Sequence, residues 1–307
     1  KASNFTPFIP PSQPAAATTG DGAVSAQMAQ PLWQWATGMT PSIYGVPGIL
    51  SGAALVFFAF LGFDVVATAS EETKNPHKNV PLGIGVGMLL IIVMYMLVAI
   101  VTTGMVSYKD LAKQDSPSLA TAFELVGADW AAKIISFGIV LGLATVIMVL
   151  LLGLTRIVFA MSRDGLLPRG LSKTGKHGTP AVLQIVVGVV VALVAALFDI
   201  GVLSDMVNIG TLSAFTLVAI SIPIMRKKRP ELPRAFRMPG NPWVPILIAL
   251  ANFWLMLNLS VLTWIRLLVW LVIGFAIYFS YGYWHARLGK GDLSETLSDE
   301  TDRAVNG

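Results

Sequence analysis

Seven long stretches of this sequence carry almost no charge, and their length dictates the solvent in which they can fold. They cover residues 46–70, 82–106, 131–155, 181–198, 206–225, 244–262 and 264–284. The hydrocarbon core of a bilayer is about 30 Å thick and takes roughly 20 apolar residues of helix to cross. Only helices and closed barrels satisfy their backbone polar groups in lipid. None of the seven stretches shows the two-residue alternation of a barrel wall. The expectation is therefore an all-α polytopic membrane protein with seven transmembrane helices, filling residues 46–288.

Composition agrees where it bears on this choice. Charged residues make up 12% of the chain and hydrophobic ones 55%, against about 25% charged in a soluble domain. The formal net charge is +4, yet the basic residues sit in short loops between apolar stretches, which marks orientation and not a nucleic-acid surface. With residues 1–45 placed outside and the spans alternating, sixteen of the 21 Lys and Arg residues fall on the inside. The five outside are Lys1, Lys109, Lys113, Lys133 and Arg266. That asymmetry predicts an external N-terminus and a cytoplasmic C-terminus in a cytoplasmic membrane.

Residues 1–45 read as an external segment with a Trp-containing patch, Pro31-Leu-Trp-Gln-Trp35, that could skim the interface. Residues 289–307 read as a polar, disordered cytoplasmic tail. The chain starts at Lys1 with no signal segment behind it. An external N-terminus without a signal leads to the expectation of a truncated protein lacking an odd number of leading spans.

Asp64 is the one charged residue deep within any of the seven stretches. An ionised carboxylate at mid-depth costs about 2.5 to 3.5 kcal/mol even on insertion scales, so it must be protonated, paired or wetted. Gly62 stands two residues before it, after an aromatic cluster, Phe57-Phe-Ala-Phe60. Glycine eases departure from helical geometry, and broken helices at membrane depth occur where they line a cavity or protein interior. Residues 58–64 are thus expected to form a discontinuous stretch beside a substrate cavity, with Asp64 as gate or proton-responsive group. A structural pairing of Asp64 with a basic residue elsewhere is the competing reading.

Other polar features are open to plainer readings. Arg156 and Arg163, seven apart, share a helical face at the cytoplasmic border, where Asp164-Gly165 and Pro168 end the helix. They suit an interfacial stop with snorkelling arginines. Asn208 and Thr211, with Ser213, are either helix-packing contacts or cavity lining. Gly83, Gly85 and Gly87 fit close helix packing, since no strand precedes them. The chain has no Cys, and His77, His177 and His285 are spaced as loop and tail residues, with no metal-ligand pattern. No phosphate loop, metalloprotease motif or nucleophile elbow occurs. Neither an enzyme nor a cofactor is implied.

Three ordered signatures resemble the amino acid–polyamine–organocation superfamily of permeases, especially its cationic amino acid transporter branch. The first is Phe57-Phe-Ala-Phe-Leu-Gly-Phe-Asp64 with Glu71-Glu72-Thr-Lys-Asn-Pro76 and Pro81. The second is Thr155-Arg-Ile-Val-Phe-Ala-Met-Ser-Arg-Asp-Gly-Leu-Leu-Pro168, with Gly178-Thr-Pro180. The third runs over 226–240 and contains Arg234-Ala-Phe-Arg-Met-Pro-Gly240. Asn4-Phe-Thr-Pro-Phe-Ile-Pro10 looks like the external loop before that family's sixth helix.

The resemblance implies helices six to twelve of a LeuT-like inverted-repeat transporter fold, with the first five helices as partners missing from the chain. It places Phe58, Ala59, Phe60, Leu61 and Gly62 in the unwound part of helix six, against the substrate's amino group and side chain. Asp64 falls where related exchangers carry an acidic gate, and Met148 roughly where they carry a substrate-facing aromatic. The implied function is secondary active transport of amino acids, proton-coupled or by exchange. A seven-helix receptor is the alternative, but the third span lacks an Asp-Arg-Tyr ending. The seventh lacks both Asn-Pro-x-x-Tyr and a Lys for retinal.

Overall fold

The computed structural model describes residues 2–14, 27–39, 42–68, 73–114, 117–172, 180–230 and 240–286. Glu71, Glu72, His177, residues 234–239 of the third signature and the tail at 289–307 lie outside them. Among the described residues the fold is helical apart from one antiparallel pair of two-residue strands, β1 (Gln13–Pro14) and β2 (Ser42–Ile43). The helices are α1 (Leu32–Thr37), α2 (Gly45–Val56), α3 (Phe63–Thr68), α4 (Pro76–Met105), α5 (Tyr108–Leu111) and α6 (Leu119–Glu124). They continue as α7 (Asp129–Arg163), α8 (Ala181–Leu197), α9 (Ile200–Lys228), α10 (Trp243–Leu257), α11 (Val261–Ile277) and α12 (Tyr283–His285).

Four helical stretches are long and apolar enough to cross a membrane: Lys78–Met105, Asp129–Arg163, Ile200–Lys228 and Val261–His285. Three further apolar helices are shorter, Gly45–Phe60, Ala181–Leu197 and Trp243–Leu257. Each of these seven helical stretches overlaps one of the seven apolar stretches of the sequence. The sixth stretch was expected over 244–262, but α10 stops at Leu257 and Leu262 belongs to α11. The cause is a cap that hydropathy does not register. Ser260 accepts the amide of Thr263 at 3.2 Å, which starts a new helix within an apolar run. The fifth stretch was expected from 206, whereas α9 begins at Ile200 and so carries Asp205 inside the helix.

The chain divides into two compact units, Lys1–Ile147 with Ser204–Trp264, and Met148–Leu203 with Ile265–Gly307. In the first unit, the N-terminal turn docks on the end of α4, where Asn4 Nδ2 donates to the Gly104 carbonyl at 3.1 Å. Gly45 opens α2 with φ +68°, and a Cβ there would lie 2.9 Å from the Ser12 Cβ, so both backbone and space require glycine. Pro76 occupies the first turn of α4, where its missing N–H leaves no bond unmade.

The Trp patch is tied to protein. Leu32 N donates to Leu259 O at 3.0 Å, and Val261 N to Gln30 O at 3.1 Å. Trp33 Nε1 donates to Asn258 Oδ1 at 3.0 Å while its ring stacks on Trp254. Helix α1 therefore sits on the α10–α11 turn.

In the second unit, α7 ends at Arg163, and Gly165 follows with φ +83°. A Cβ on Gly165 would run into the His285 carbonyl, and Ser162 Oγ donates to Pro168 O at 2.7 Å. The second signature thus encodes a tight turn against the end of the last helix. The pair Arg163–Asp164 is open, at 3.9 Å with both side chains exposed, and contributes little.

Candidate functional site

The first unit contains the break that the Gly and aromatic residues predict. Helix α2 tightens into a 3-10 turn over Phe57–Phe60. Leu61 is extended (φ −67°, ψ 147°) and Gly62 has φ +115°, after which α3 restarts at Phe63. A residue with a Cβ is strained at that φ, although open space surrounds the position. The i→i+4 ladder is interrupted here, with Leu61 N donating to Phe58 O and Val65 N to Gly62 O, each at 3.2 Å. Irregular backbone at membrane depth occurs only beside protein or a cavity.

Two other helices of the same unit meet the break. From α4, the Tyr95 hydroxyl donates to the Ala59 carbonyl at 2.8 Å, and its ring lies edge-on to Phe60, with centroids 5.1 Å apart. From α9, Asn208 Nδ2 donates to the Leu55 carbonyl at 3.2 Å. Asn208 is fully buried, and its Oδ1 has no hydrogen-bond partner among the described residues. A buried acceptor left unmade costs about 1–3 kcal/mol, so the residue is held there for its donor. Phe215, two turns further along α9, stacks at an angle against Phe63 and edge-on against Phe57, at 5.4 and 6.1 Å. One ring thus touches both sides of the break.

The sequence-predicted residues separate clearly. Phe58, Ala59, Phe60, Leu61 and Gly62 form the break, and Asn208 adjoins it through Leu55. Phe58 is 45% exposed, so its ring is available to a ligand or to lipid. Thr211 is half-buried on α9, three residues beyond Asn208. Asp64 lies in the first turn of α3, immediately after the break, and its side chain is outside the described set. Met148 belongs to the second unit, on α7, where it is 64% exposed.

Sequence reasoning passed over Tyr95, Phe215 and Asp205. Tyr95 had a signal, as the sole polar side chain in an apolar run over 88–101. Asp205 was hidden by a helix start set too late; its carboxylate accepts from the Thr263 hydroxyl at 3.2 Å and ties α9 to the first turn of α11.

A signature of amino acid permeases matches residues 15–284, nearly the whole chain. The chain belongs to the amino acid permease family. It is 47% identical over 247 residues to a branched-chain amino acid permease of Bacillus subtilis (strain 168), and 43% identical over 248 residues to a methylthioribose transporter of that organism. Each of these alignments covers 80% of this permease-family chain and 53% of the relative. Over 191 residues it is 44% identical to a mitochondrial cationic amino acid transporter of Arabidopsis thaliana, covering 62% of this chain and 31% of that protein. This permease-family chain spans about half the length of the bacterial relatives it matches. Those relatives are named permeases and transporters, not enzymes, and with the apolar helices they make this a multi-pass membrane protein.

Proposed function

We propose that this chain forms the substrate-facing half of a secondary amino-acid transporter, with the broken segment 57–62 lining the translocation site. The observation that carries the proposal is the break itself. An apolar helix loses its geometry at Leu61 and Gly62 and resumes beside Asp64. Half-helix ends at membrane depth offer backbone groups to the charged ends of an amino acid. Family membership favours a carrier over a seven-helix receptor.

All seven apolar helices cross the bilayer in this proposal, in a LeuT-like arrangement with the N-terminal segment outside and the C-terminus in the cytoplasm. The family's first helices complete the carboxylate half of the pocket. Transport is proton-coupled or by exchange, with Asp64 as the proton-responsive group.

A neutral, aliphatic substrate suits the walls best. Apart from Tyr95 and Asn208, which donate to backbone carbonyls, the side chains named at the break are apolar: Phe57, Phe58, Phe60, Leu61, Phe63 and Phe215. The relative named for branched-chain amino acids points the same way. Radiolabelled leucine uptake into proteoliposomes holding the full-length protein tests this. Unlabelled valine and isoleucine should compete, while arginine and methylthioribose should not. Competition by arginine but not by valine or isoleucine would contradict a neutral, aliphatic pocket, and absent leucine uptake beside uptake of labelled methylthioribose would remove the amino-acid reading.

A further inference from the structure

In an unbroken α-helix the Leu55 carbonyl would take the amide of Ala59, and the Ala59 carbonyl that of Phe63. The 3-10 turn ends the first pairing, and Leu55 O accepts the Phe57 amide at the helix end instead. Extended Leu61 and left-handed Gly62 carry Phe63 away from the second. Both carbonyls, four residues apart and each without its i+4 amide, accept from side chains of other helices. Asn208 Nδ2 of α9 donates to Leu55 O at 3.2 Å, and the Tyr95 hydroxyl of α4 donates to Ala59 O at 2.8 Å.

We propose that Asn208 and Tyr95 are a matched pair of positioning residues, each donating to a carbonyl that has lost its i+4 amide and together holding the broken segment in its substrate-receiving geometry. What that segment receives rests on the transport reading above; the bracketing does not. Ordinary packing contacts would not produce this pattern. Asn208 is fully buried with its Oδ1 unpartnered among the described residues, so an apolar side chain would fill the place with no acceptor left unmade. Its amide is of use there only for the N–H directed at Leu55. Tyr95 is the sole hydroxyl in its apolar run, and the edge-on contact with Phe60 sets its ring so that the oxygen reaches the break. The two donors approach from helices on either side of the segment in sequence, so shifting α4 or α9 would alter the break itself.

The test uses the full-length protein with Ala59→Cys as its sole cysteine, this chain having none of its own. Maleimide alkylation at position 59 reports the geometry of the break without reference to transport. Tyr95→Phe keeps the ring and removes the donor, and Asn208→Leu removes the amide. Each is expected to change the alkylation rate about threefold to tenfold, the worth of one hydrogen bond. Without the reporter, each should raise the KM for leucine by a similar factor at a nearly constant maximal rate per folded protein. Asn208→Gln, which keeps a donor, should restore part of both effects.

Parental alkylation rates in both Tyr95→Phe and Asn208→Leu would overturn the bracketing, as would a loss of maximal rate with KM unchanged. If the parent takes up no leucine while alkylation still responds to both substitutions, the transport reading fails and the bracketing stands.

Discussion

Single residues decide where the broken helix can exist. Gly62 holds a φ of +115°, and nothing lies within 4 Å of where a Cβ would stand. Gly62→Ala should therefore act through backbone strain alone, costing about 1–3 kcal/mol and lowering the melting midpoint of the purified protein in detergent. An unchanged midpoint would mean that the segment readily adopts another path. Asp64→Asn should flatten the pH dependence of uptake, because a carboxylate at mid-depth has to be protonated, paired or wetted. An unchanged pH profile would reject that role. The coincidence of Phe, Gly and Asp over 57–64 made the break legible in the sequence. Its brackets were not, since Tyr95 and Asn208 stand 36 and 153 positions from the carbonyls they hold. Only the tertiary fold joins such distant polar residues.

At the scale of elements, hydropathy located the apolar helices and misjudged their ends. The boundary between α10 and α11 falls within an apolar run because Asn258 and Ser260 turn the chain, with Ser260 capping α11. Ser260→Ala removes that cap and should cost about 0.5–2 kcal/mol, read as a lower melting midpoint. The same turn receives α1 through the Trp33–Asn258 bond and the stacked Trp254. Trp33→Phe keeps an aromatic ring and deletes the donor to a buried side chain. Faster amide exchange is expected over residues 32–37, measured by hydrogen–deuterium exchange, whereas unaltered exchange would show that the backbone bonds suffice. The Trp patch suggested a segment lying on the interface. The partners that fix it lie more than 200 residues away, beyond the reach of local patterning.

For the whole molecule, the chain's apolar helices and family membership make it a multi-pass membrane protein, and charge supports the proposed orientation. The proposed topology puts sixteen of the 21 basic residues on the cytoplasmic side, together with the C-terminus. Met148 lies in one compact unit, and the broken helix with Asn208 in the other. Length and hydropathy made the all-helical membrane class legible. The helix lengths were less so, because three apolar helices are shorter than a typical span. The central claim is that the segment 57–62 receives the substrate, and ligand protection tests it most directly. With Ala59→Cys as the sole cysteine, leucine at ten times its Kd should slow maleimide alkylation about tenfold by occupancy, while a cysteine placed at exposed Trp35 should be unaffected. Undiminished alkylation at position 59, at leucine concentrations that saturate uptake, would contradict the account.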